Sequence, residues 1–586
     1  MSTILIYKLS ETYCLIKADL SESNNFDLLS ELPGFKKWQG RLLKFRPAYA
    51  NIEYINDNWP LADWSDCQHL LDDFLAEQEN KNIVSERKKK IISDDGQFEY
   101  KTKPLKHQAH AFMLSRDIKC FAFLDQMGTG KTKTLIDTFA WLYLKNKINC
   151  VVIIAPNGVH SNWINIEIPK HLPDWCKHEK DFYSKSHGKK RMESINRIIS
   201  SNNLVIISIN IESLRRKKGK SIELLENLLS IKKCIVILDE SSAIKRIGSN
   251  QTKNITKACK NVEYKRIANG SPITKGIEDL YSQFYFLDKN IIGYDTYTAF
   301  KSKYCKEILI PLNKHDPNSK KFPKIAGYKN IDELREKIEP YSIRRLKKDC
   351  IDLPEKTYTL FAFELSKEQR RAYDELKEEF ITEINGTSIE ENFAVVRLMR
   401  LQQIISGYYP SEDNNLLLPF PGENPRLESL KTICNTINEN GEKAIIWARF
   451  RQEIIDIESM LGKMAVGYHG SVPQAERATN VERFQHDPDV RYMVAMLSSN
   501  SSAVRGHTWT AASTSIYYSN TFDLDARQQS EDRMHRIGIG DKALYIDIMA
   551  LGTMERRIIA CLKNKKSISD LVTRDGPDGF LEFINE

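Results

Sequence analysis

The eight residues DQMGTGKT (125–132) directly follow the apolar run CFAFL (120–124). They match the phosphate-loop pattern Gly-x-x-x-x-Gly-Lys-Thr, except that Asp125 stands in place of the first glycine. After a buried strand, a turn of small residues presents successive backbone N–H groups that can hold a di- or triphosphate, assisted by the N-terminus of the following helix. In that interpretation Lys131 contacts the β- and γ-phosphates, and the Thr132 hydroxyl holds Mg²⁺. The same letters also fit an ordinary small-residue turn between a strand and a helix.

A second apolar run ends in a pair of acidic residues. In CIVILDESS (234–242), Asp239 and Glu240 directly follow the apolar residues of a predicted buried strand. Ligands of parallel α/β sheets lie beyond the carboxyl ends of the strands. An acidic pair in such a place is often only a solvated turn. After a phosphate loop, however, it predicts that Asp239 reaches the Mg²⁺ ligand shell and that Glu240 orients and deprotonates an attacking water.

The composition is typical of a globular protein with several domains. At 586 residues the chain is too long for a single hydrophobic core, which implies about two to four domains. The formal net charge is +8, and the 86 Lys and Arg residues are compatible with a polyanionic partner. The 11 cysteines are scattered without a Cys-x-x-Cys pair, which argues against disulfides and zinc and favours a reduced compartment. No signal-peptide order and no apolar run of membrane-spanning length is present, so no membrane partner is expected.

Short β-branched runs alternate with helical stretches from residue 105 onward. In the first half these runs are CFAFLD, CVVIIAP, LVIISIN, CIVILDE and KRIANG, and in the second half KAIIWARF, MAVGYHG, VRYMVAML, TSIYYSN and ALYIDIM. Alternation of this kind predicts parallel sheets covered by helices, so two such sets predict an α/β fold with two lobes. Short alternating stretches near the N-terminus, followed by a helical one, predict a small α+β module. The predicted divisions are an accessory module (1–78), a charged linker (79–104), a first lobe (105–290), a helical insertion or inter-lobe region (291–424) and a second lobe (425–586).

Further motifs accompany the phosphate loop in a fixed order. They are PLKHQ (104–108), APNGVHSNW (155–163), ANGSPITKGIEDLYSQFYFL (268–287), SIRRLKKD (342–349), LMRLQQIISG (398–407), IIWARF (445–450), YHGSVPQAERATNVERFQ (468–485), QQSEDRMHRIGIGDK (528–542) and GTMERRI (552–558). With them the chain is identified as a member of the superfamily-two helicases and translocases, and it is most similar to the Swi/Snf-type ATPases. In that family the loop reads DEMGLGKT, so Asp125 is the family's own variant. The resemblance implies two RecA-like P-loop lobes with helical insertions.

The resemblance also implies roles for individual residues. ATP and Mg²⁺ are the implied cofactors, and duplex DNA, held mainly through its phosphate backbone, is the implied partner. The implied nucleotide-binding residues are Gln108 in the adenine-reading element, Asp125, Gln126, Met127, Gly128, Thr129, Gly130, Lys131 and Thr132. The implied catalytic residues are Lys131, Thr132, Asp239, Glu240, Gln529, Arg533 and Arg536, with Thr132 and Asp239 as metal ligands. The implied nucleic-acid contacts are Asn157, Trp163, Asn210 and Thr508.

The arginine motif adds a physical argument. Arg533 and Arg536 are three residues apart, so we expect them to share one face of a helix. From there the two guanidinium groups can approach the γ-phosphate from the opposite lobe and stabilise charge in the transition state. Because these arginines and the phosphate loop would lie on different lobes, hydrolysis requires closure of a cleft, and cycles of closure can be converted into steps along a strand. A charge pair on a helix surface is the ordinary alternative.

Three departures from the family pattern bear on function. Ser242 replaces a histidine that links the ATP state to the nucleic-acid side, so coupling can differ although hydrolysis should survive. Gln126 replaces the usual glutamate of the loop, a change expected to matter little. The stretch SSNSSAVRGHTWTAA (498–512) stands where the family has a glycine-rich motif, and only Gly506, Thr510 and the two alanines align comfortably.

The sequence therefore predicts an ATP-dependent translocase on duplex DNA. A strand-separating DNA or RNA helicase is the alternative among enzymes, and nothing in the sequence identifies a separation pin. A nucleic-acid-binding scaffold with a degenerate motor is the alternative from another class. Retention of Lys131, Glu240 and Arg536 together weighs against that scaffold.

The cellular setting is predicted from weaker signals. The N-terminal module is faintly similar to the HARP-type module that precedes annealing ATPases of this family. No histone-reading domain is obvious, so a role in replication, recombination or repair is expected, with proteins of those processes as partners. The residue usage favours a bacterial cell or phage-infected host and therefore the cytoplasm, with the nucleus as the location in a eukaryote.

Overall fold

The fold consists of two compact units, Met1–Cys350 and Ile351–Glu586. The boundary between them falls inside the range 291–424 that the sequence suggested as an inter-lobe region. The computed structural model describes residues 4–10, 13–17, 29, 32, 38–39, 42–89, 96–183, 188–273, 276–311, 321–386, 391–410, 417–498, 503, 509–536, 538–540 and 542–563.

The first unit begins with a small α+β module. Its strands are β1 (Leu5–Ser10), β2 (Tyr13–Lys17), β3 (Trp38–Gln39) and β4 (Leu42–Phe45), and its helices are α1 (Tyr49–Asn58) and α2 (Gln68–Lys89). The sheet is antiparallel with the order β1-β2-β4-β3, and alternate side chains such as Cys14 and Ile16 enter a core of the module's own. Helix α2 continues past residue 78, where the linker was expected to begin.

The rest of the first unit contains a seven-stranded parallel sheet with the order β13-β5-β10-β9-β6-β8-β7. The strands from here to the end of the unit are β5 (Cys120–Phe123), β6 (Cys150–Ala155), β7 (His178–Tyr183), β8 (Leu204–Asn210), β9 (Cys234–Asp239), β10 (Tyr264–Ala268), β11 (Cys305–Pro311), β12 (Lys321–Tyr328) and β13 (Ser342–Ile343). Strands β11 and β12 form a separate antiparallel pair. Strands β6, β8 and β9 are predominantly apolar because both faces of a parallel sheet are buried.

Helices connect these strands. They are α3 (Lys106–Ser115), α4 (Lys131–Leu144), α5 (Val159–Asn162), α6 (Ile168–His171), α7 (Gly188–Ile199), α8 (Lys220–Ile231), α9 (Asn250–Ala258), α10 (Asp279–Leu287), α11 (Lys289–Ile292), α12 (Tyr297–Tyr304), α13 (Ile331–Ile338) and α14 (Lys347–Cys350). The N-terminal module is attached to this lobe through the Ala50 N–H, which donates to the Gly293 carbonyl at 3.0 Å, and through Lys337, which pairs with Glu53 at 2.9 Å.

The second unit contains a six-stranded parallel sheet with the order β14-β21-β20-β17-β19-β18. Its strands, including the short β15–β16 pair, are β14 (Lys356–Phe363), β15 (Tyr408–Pro410), β16 (Leu417–Pro419), β17 (Ala444–Ala448), β18 (Ala465–Tyr468), β19 (Tyr492–Met496), β20 (Thr514–Tyr517) and β21 (Ala543–Ala550). Its helices are α15 (Lys367–Gly386), α16 (Glu391–Ile405), α17 (Pro425–Glu439), α18 (Arg451–Leu461), α19 (Gln474–His486), α20 (Leu524–Met534) and α21 (Glu555–Lys563).

Successive residues of β17 enter different cores. Ile446 packs into one hydrophobic cluster, whereas Ile445 and Trp447 pack into another. Because side chains alternate across a strand, apolar groups cover both faces of this sheet as well. The two parallel sheets with their helices confirm the predicted α/β class with two RecA-like lobes. Within the described part of the chain, no helix combines the length and the apolar character that crossing a membrane requires.

Candidate nucleotide site

The sequence motifs of the first lobe meet at one edge of its sheet. Strands β5, β10 and β9 are neighbours, and their last residues are in register, with Phe123 beside Ala268 and Ala268 beside Asp239. On the other side of β9, Ala155 of β6 is in register with Asn210 of β8. The phosphate loop, the acidic pair and the segments that follow β10, β6 and β8 therefore all leave the sheet at its carboxyl edge, where ligands of such sheets bind.

The phosphate loop has the backbone that its glycines predict. Gly128 and Gly130 have φ angles of 81° and 82°, in the left-handed region that glycine tolerates. A Cβ atom on Gly130 would also lie 2.1 Å from Nε2 of Gln108, so that a side chain there would displace Gln108. Helix α4 begins directly afterwards at Lys131, so the N–H groups of its first turn, which have no acceptor within the helix, face the same loop.

The segment PLKHQ (104–108) contacts the backbone of this loop. Gln108 accepts a hydrogen bond from the Leu105 N–H at 2.9 Å and donates to the Thr129 carbonyl at 3.2 Å. The His107 ring nitrogen Nε2 lies 2.7 Å from the same carbonyl. Gln108 is therefore buried against the backbone of the loop, which places it beside the phosphate-binding turn.

Lys131 bonds to the loop itself. Its ammonium donates to the carbonyls of Asp125 and Gln126, at 2.7 and 3.2 Å, and the Thr129 hydroxyl also donates to the Gln126 carbonyl at 2.9 Å. Backbone carbonyls are weaker partners for an ammonium than an anionic oxygen is. A phosphate that enters the loop can therefore replace them as the acceptor for Lys131.

Asp125 is the loop residue that departs from the general phosphate-loop pattern. Its side chain is 4% exposed, and its Oδ1 atom has no hydrogen-bond partner. Burial raises the pKa of this carboxyl, while the nearby charges of Arg345 and Lys131 act in the opposite direction. A buried polar atom without a partner is costly, and beside a loop of this type it is consistent with a site that takes a ligand.

The acidic pair lies at the end of β9. Asp239 accepts hydrogen bonds from the indole N–H of Trp163 at 2.8 Å and from the Glu240 N–H at 3.0 Å. Burial and the neighbouring Glu240 carboxylate raise the pKa of Asp239 to about 6, and the bond from Trp163 opposes that rise. Glu240 has a φ of 54°, an unusual value for a residue with a side chain, and strain of this kind concentrates at functional sites. The hard carboxylate oxygen of Asp239 and the hydroxyl of Thr132 are ligand types that suit Mg²⁺.

A hydrogen-bond hub links the acidic pair to the segment after β10. The Gln283 side-chain oxygen accepts from the Ser241 hydroxyl at 2.6 Å and from the Asn269 amide at 3.2 Å. A Cβ on Gly270 would lie 2.5 Å from Cγ of Met127, so this segment touches the phosphate loop closely. Sequence reasoning assigned no role to Gln283, although it lies within the quoted stretch 268–287.

The residues predicted to contact nucleic acid differ in their placement. Asn157 is exposed after β6, and its N–H donates to the Glu212 carboxylate at 3.2 Å. Asn210 caps a short helix by accepting from the Ser213 N–H. The prediction for Trp163 is corrected: its side chain is 1% exposed and bonded to Asp239, because it packs inside the lobe and cannot present its ring to a nucleic acid. Thr508 lies outside the described residues, as does Gly506.

The arginine motif lies in the second unit, on α20 and the residues after it. Arg533 is 1% exposed, and its Nε donates to the Gln529 carbonyl at 3.2 Å. Arg536 is partly exposed, and its Nε donates to the Asp532 carbonyl at 2.7 Å. The expectation that the two arginines share one helix face is wrong, because α20 ends at Met534 and the backbone then leaves the helical conformation. The Oε1 atom of Gln529 is buried without a hydrogen-bond partner.

Sequence reasoning missed a buried charge network beneath this motif. Arg527 binds the Asp547 carboxylate with both terminal nitrogens and the Glu531 carboxylate through Nε at 2.9 Å. Lys356 of β14 completes it with a 2.8 Å bond to Glu531. The i,i+4 spacing of Arg527 and Glu531 was the only signal, and the partners on β21 and β14 are remote in sequence. The network holds α20 against its sheet and thereby fixes the position of the arginine motif on this helix.

Comparison with known proteins gives two family matches. Residues 105–407 match the SNF2-related domain, and residues 427–538 match the helicase conserved C-terminal domain. The chain is 26% identical over 460 residues to a putative ATP-dependent helicase/translocase, YwqA, of Bacillus subtilis, which covers 76% of this chain and 46% of the relative. It is 24% identical over 478 residues to the human DNA annealing helicase and endonuclease ZRANB3, covering 80% of this chain and 40% of the relative.

Among solved structures, the chain is similar to the Sulfolobus solfataricus SWI2/SNF2 ATPase core in complex with dsDNA. The identity is 22%, the match covers 83% of this chain and 98% of the other, and the TM-score is 0.34. The chain spans less than half the length of the two curated relatives named above.

Proposed function

Because this chain belongs to the SNF2-related family, we propose that it is an ATP-driven translocase on duplex DNA. The observation that carries the proposal is the meeting of the phosphate loop, Asp239 and the Gly270 segment at one edge of a parallel sheet, with Lys131 able to exchange its carbonyl partners for phosphates. One relative is named a putative ATP-dependent helicase/translocase and another a DNA annealing helicase and endonuclease, and both names support this proposal.

The chemistry proposed for the site divides between a few residues. The loop N–H groups and Lys131 hold the phosphates of ATP, and Thr132 with Asp239 holds Mg²⁺. When bound there, Mg²⁺ would neutralise charge on the phosphate oxygens. Glu240 orients the attacking water and accepts its proton, since it follows Asp239 directly on a constrained backbone. Arg536 supplies the cation that stabilises the transition state from the second unit.

Trp163 has a positioning role in this proposal. It donates to one Asp239 oxygen and leaves the carboxylate in a defined orientation for the metal. Partners that hold a metal ligand in place contribute strongly to metal affinity.

Trp163→Phe is expected to raise the Mg²⁺ concentration for half-maximal ATP turnover by about tenfold, as loss of such partners does, without weakening DNA binding. The pKa of Asp239 rises further in this variant because a donor that lowers it is gone. Turnover should then be lost on acidification at a higher pH than in the wild type. The measurement is a Mg²⁺ and pH titration of ATPase rate, with Trp175→Phe as the control, since the Trp175 indole N–H donates to a backbone carbonyl and not to Asp239. Weaker DNA binding with unchanged Mg²⁺ dependence would instead mean that Trp163 contributes to DNA binding and does not position Asp239 for the metal.

The proposed partner is duplex DNA bound through its phosphates. Asn157 and Asn210 lie at the carboxyl edge beside the acidic pair, at the ends of neighbouring strands, and the chain carries 86 Lys and Arg residues. Such contacts position a protein on DNA without reading its sequence.

Affinity for duplex DNA is expected to fall roughly a thousandfold or more between about 50 and 200 mM salt if about six phosphates are neutralised. Two duplexes of unrelated sequence should bind equally. Fluorescence anisotropy at several salt concentrations measures both. A salt-insensitive complex, or a strong preference for one sequence, would contradict binding through phosphates.

One experiment separates this function from its alternatives. ATPase rates are measured side by side without nucleic acid and with single-stranded DNA, duplex DNA, forked DNA and RNA, together with displacement of a third strand from a triplex. Duplex stimulation with triplex displacement supports a translocase. Unwinding of forks without triplex displacement supports a strand-separating helicase, and nucleic-acid binding without turnover supports a scaffold. We further propose replication, recombination or repair as the setting, in keeping with the annealing helicase among the relatives.

A further inference from the structure

The phosphate loop is joined to the segment that leads out of the first unit. Strand β13 pairs in parallel with β5, with Ser342 opposite Ala122. The pairing continues beyond the strands, because the Leu124 N–H donates to the Ile343 carbonyl at 2.8 Å. The Gln126 N–H then donates to the Arg345 carbonyl at 3.0 Å. The loop and this segment thus run side by side for several residues.

Gln126 bonds to this segment through its side chain as well as through its main chain. Its side-chain oxygen accepts a hydrogen bond from the Lys347 N–H at 2.8 Å. Its own carbonyl accepts from Lys131 at 3.2 Å and from Thr129 at 2.9 Å. The same residue therefore contacts the phosphate-binding lysine through its main chain. Through its side chain it contacts the segment that leads out of the first unit, called the departing segment below.

The departing segment has few residues left before the second unit. Lys347 is the first residue of α14, which ends at Cys350, and the second unit begins at Ile351. Arg345 holds the same segment to PLKHQ, because its guanidinium donates to the His107 carbonyl and to Nδ1 of His110 at 2.8 Å. A short, hydrogen-bonded path therefore links Gln126 to the end of the first unit.

We propose that Gln126 is a positioning residue that couples nucleotide binding at Lys131 to the segment Ile343–Lys347, through which the chain passes into the second unit. The proposal rests on the ATPase function proposed above. When a phosphate takes the Lys131 ammonium, the Gln126 carbonyl loses a partner and the residue can shift. Its side-chain bond to Lys347 carries that shift to the connecting segment.

The exposure of Gln126 makes this testable. Its side chain is exposed to solvent, and a net hydrogen bond of this kind is worth only about 1 kcal/mol of stability. An effect on turnover in a Gln126 variant is therefore not a folding defect, and an unchanged melting temperature verifies this.

Four single variants isolate the one bond. Gln126→Met keeps the length of the side chain and removes the acceptor, whereas Gln126→Glu keeps an acceptor. Lys347→Pro removes the donating N–H, and proline is tolerated at the first position of a helix. Lys347→Ala is its matched control, because it loses the same side chain and keeps the N–H.

The expected result is a loss in kcat with a nearly constant KM. With duplex DNA present, kcat falls about tenfold in Gln126→Met, as for residues in a coupling network, while the KM for ATP stays within about twofold. Gln126→Glu recovers kcat. The kcat of Lys347→Pro is expected to be about tenfold lower than that of Lys347→Ala. The kcat of the double variant Gln126→Met with Lys347→Pro should be no lower than that of either single variant, since both changes remove the same bond. Full kcat in Gln126→Met, equal rates in the two Lys347 variants, or additive losses would overturn the proposal.

Hydrogen exchange tests the bond without relying on turnover. A peptide that covers residues 343–350 should take up about one more deuteron at early times in Gln126→Met than in the wild type, because the Lys347 N–H loses its acceptor. Adding a non-hydrolysable ATP analogue should change exchange of this peptide in the wild type and in Gln126→Glu, but not in Gln126→Met. The same nucleotide response in Gln126→Met would overturn the coupling. A wild type that binds the analogue and shows this response but does not hydrolyse ATP would defeat the proposed function alone.

Discussion

Replacing Lys131 with alanine is expected to abolish ATP turnover while the fold stays intact. The ammonium of Lys131 is the point charge available to the β- and γ-phosphates, and in the structure it donates to the backbone carbonyls of Asp125 and Gln126. Those carbonyls can turn to water, so the free energy of unfolding should change little. Backbone N–H groups of the loop and of α4 cannot replace the missing charge.

The measurement is steady-state ATP turnover with duplex DNA, accompanied by thermal unfolding. Lys147→Ala is the matched control, because Lys147 is exposed beyond the far end of α4 and its loss changes the net charge equally. Turnover of Lys131→Ala within about twofold of the wild type, equivalent to about 0.4 kcal/mol in the barrier, would remove the phosphate loop from the proposed site.

The α/β architecture was predictable because its physical signature is local. Strands buried on both faces must be continuous apolar runs, and β6 and β9 are visible as such in CVVIIAP and CIVILDE. The loop and the acidic pair were predictable for a related reason, since each follows such a strand directly. Their meeting at one edge then follows from parallel pairing alone.

Long-range partners were not predictable in this way. Trp163 and Asp239 are 76 residues apart, and Gln126 and Lys347 are 221 apart, so no periodicity joins them. Trp163 was assigned to DNA from its motif, and only the fold reveals that its indole N–H is directed at the carboxylate. From the sequence, the substitution at Gln126 was expected to matter little. Its partner on Lys347 is a backbone N–H, and a bond to the backbone leaves no trace in the sequence.

The end of α20 was missed for a different reason. The letters around Arg536 contain no proline, and the nearest glycine with a positive φ is Gly538, two residues further on. The helix nevertheless stops at Met534, since the backbone turns at His535, whose Nε2 lies 2.9 Å from the Pro354 carbonyl. This tertiary contact separates Arg533, which is buried, from Arg536, which is partly exposed.

Because Arg536 is less buried than Arg533, it is the better residue for testing the proposed role of the second unit in hydrolysis. Arg533 is 1% exposed, so its replacement would test packing as much as catalysis. Arg536 lies beyond the helix, where its Nε donates to the Asp532 carbonyl, and a guanidinium group carries five N–H donors in all. In the proposed mechanism these donors act on ATP only when DNA is bound.

Arg536→Ala is therefore expected to bind ATP and duplex DNA almost normally, in separate measurements, and to lose DNA-stimulated hydrolysis by a factor of about 10³ or more, as removal of other arginine fingers does. Triplex displacement should disappear in parallel, because each step of translocation requires hydrolysis. Arg371→Ala is the matched control in the same unit, since the Arg371 side chain is 81% exposed and pairs with Glu375 one turn away. Full DNA stimulation in Arg536→Ala would mean that hydrolysis is completed within the first unit alone. The second unit would then serve to bind DNA, and the two-lobe motor proposed here would be wrong.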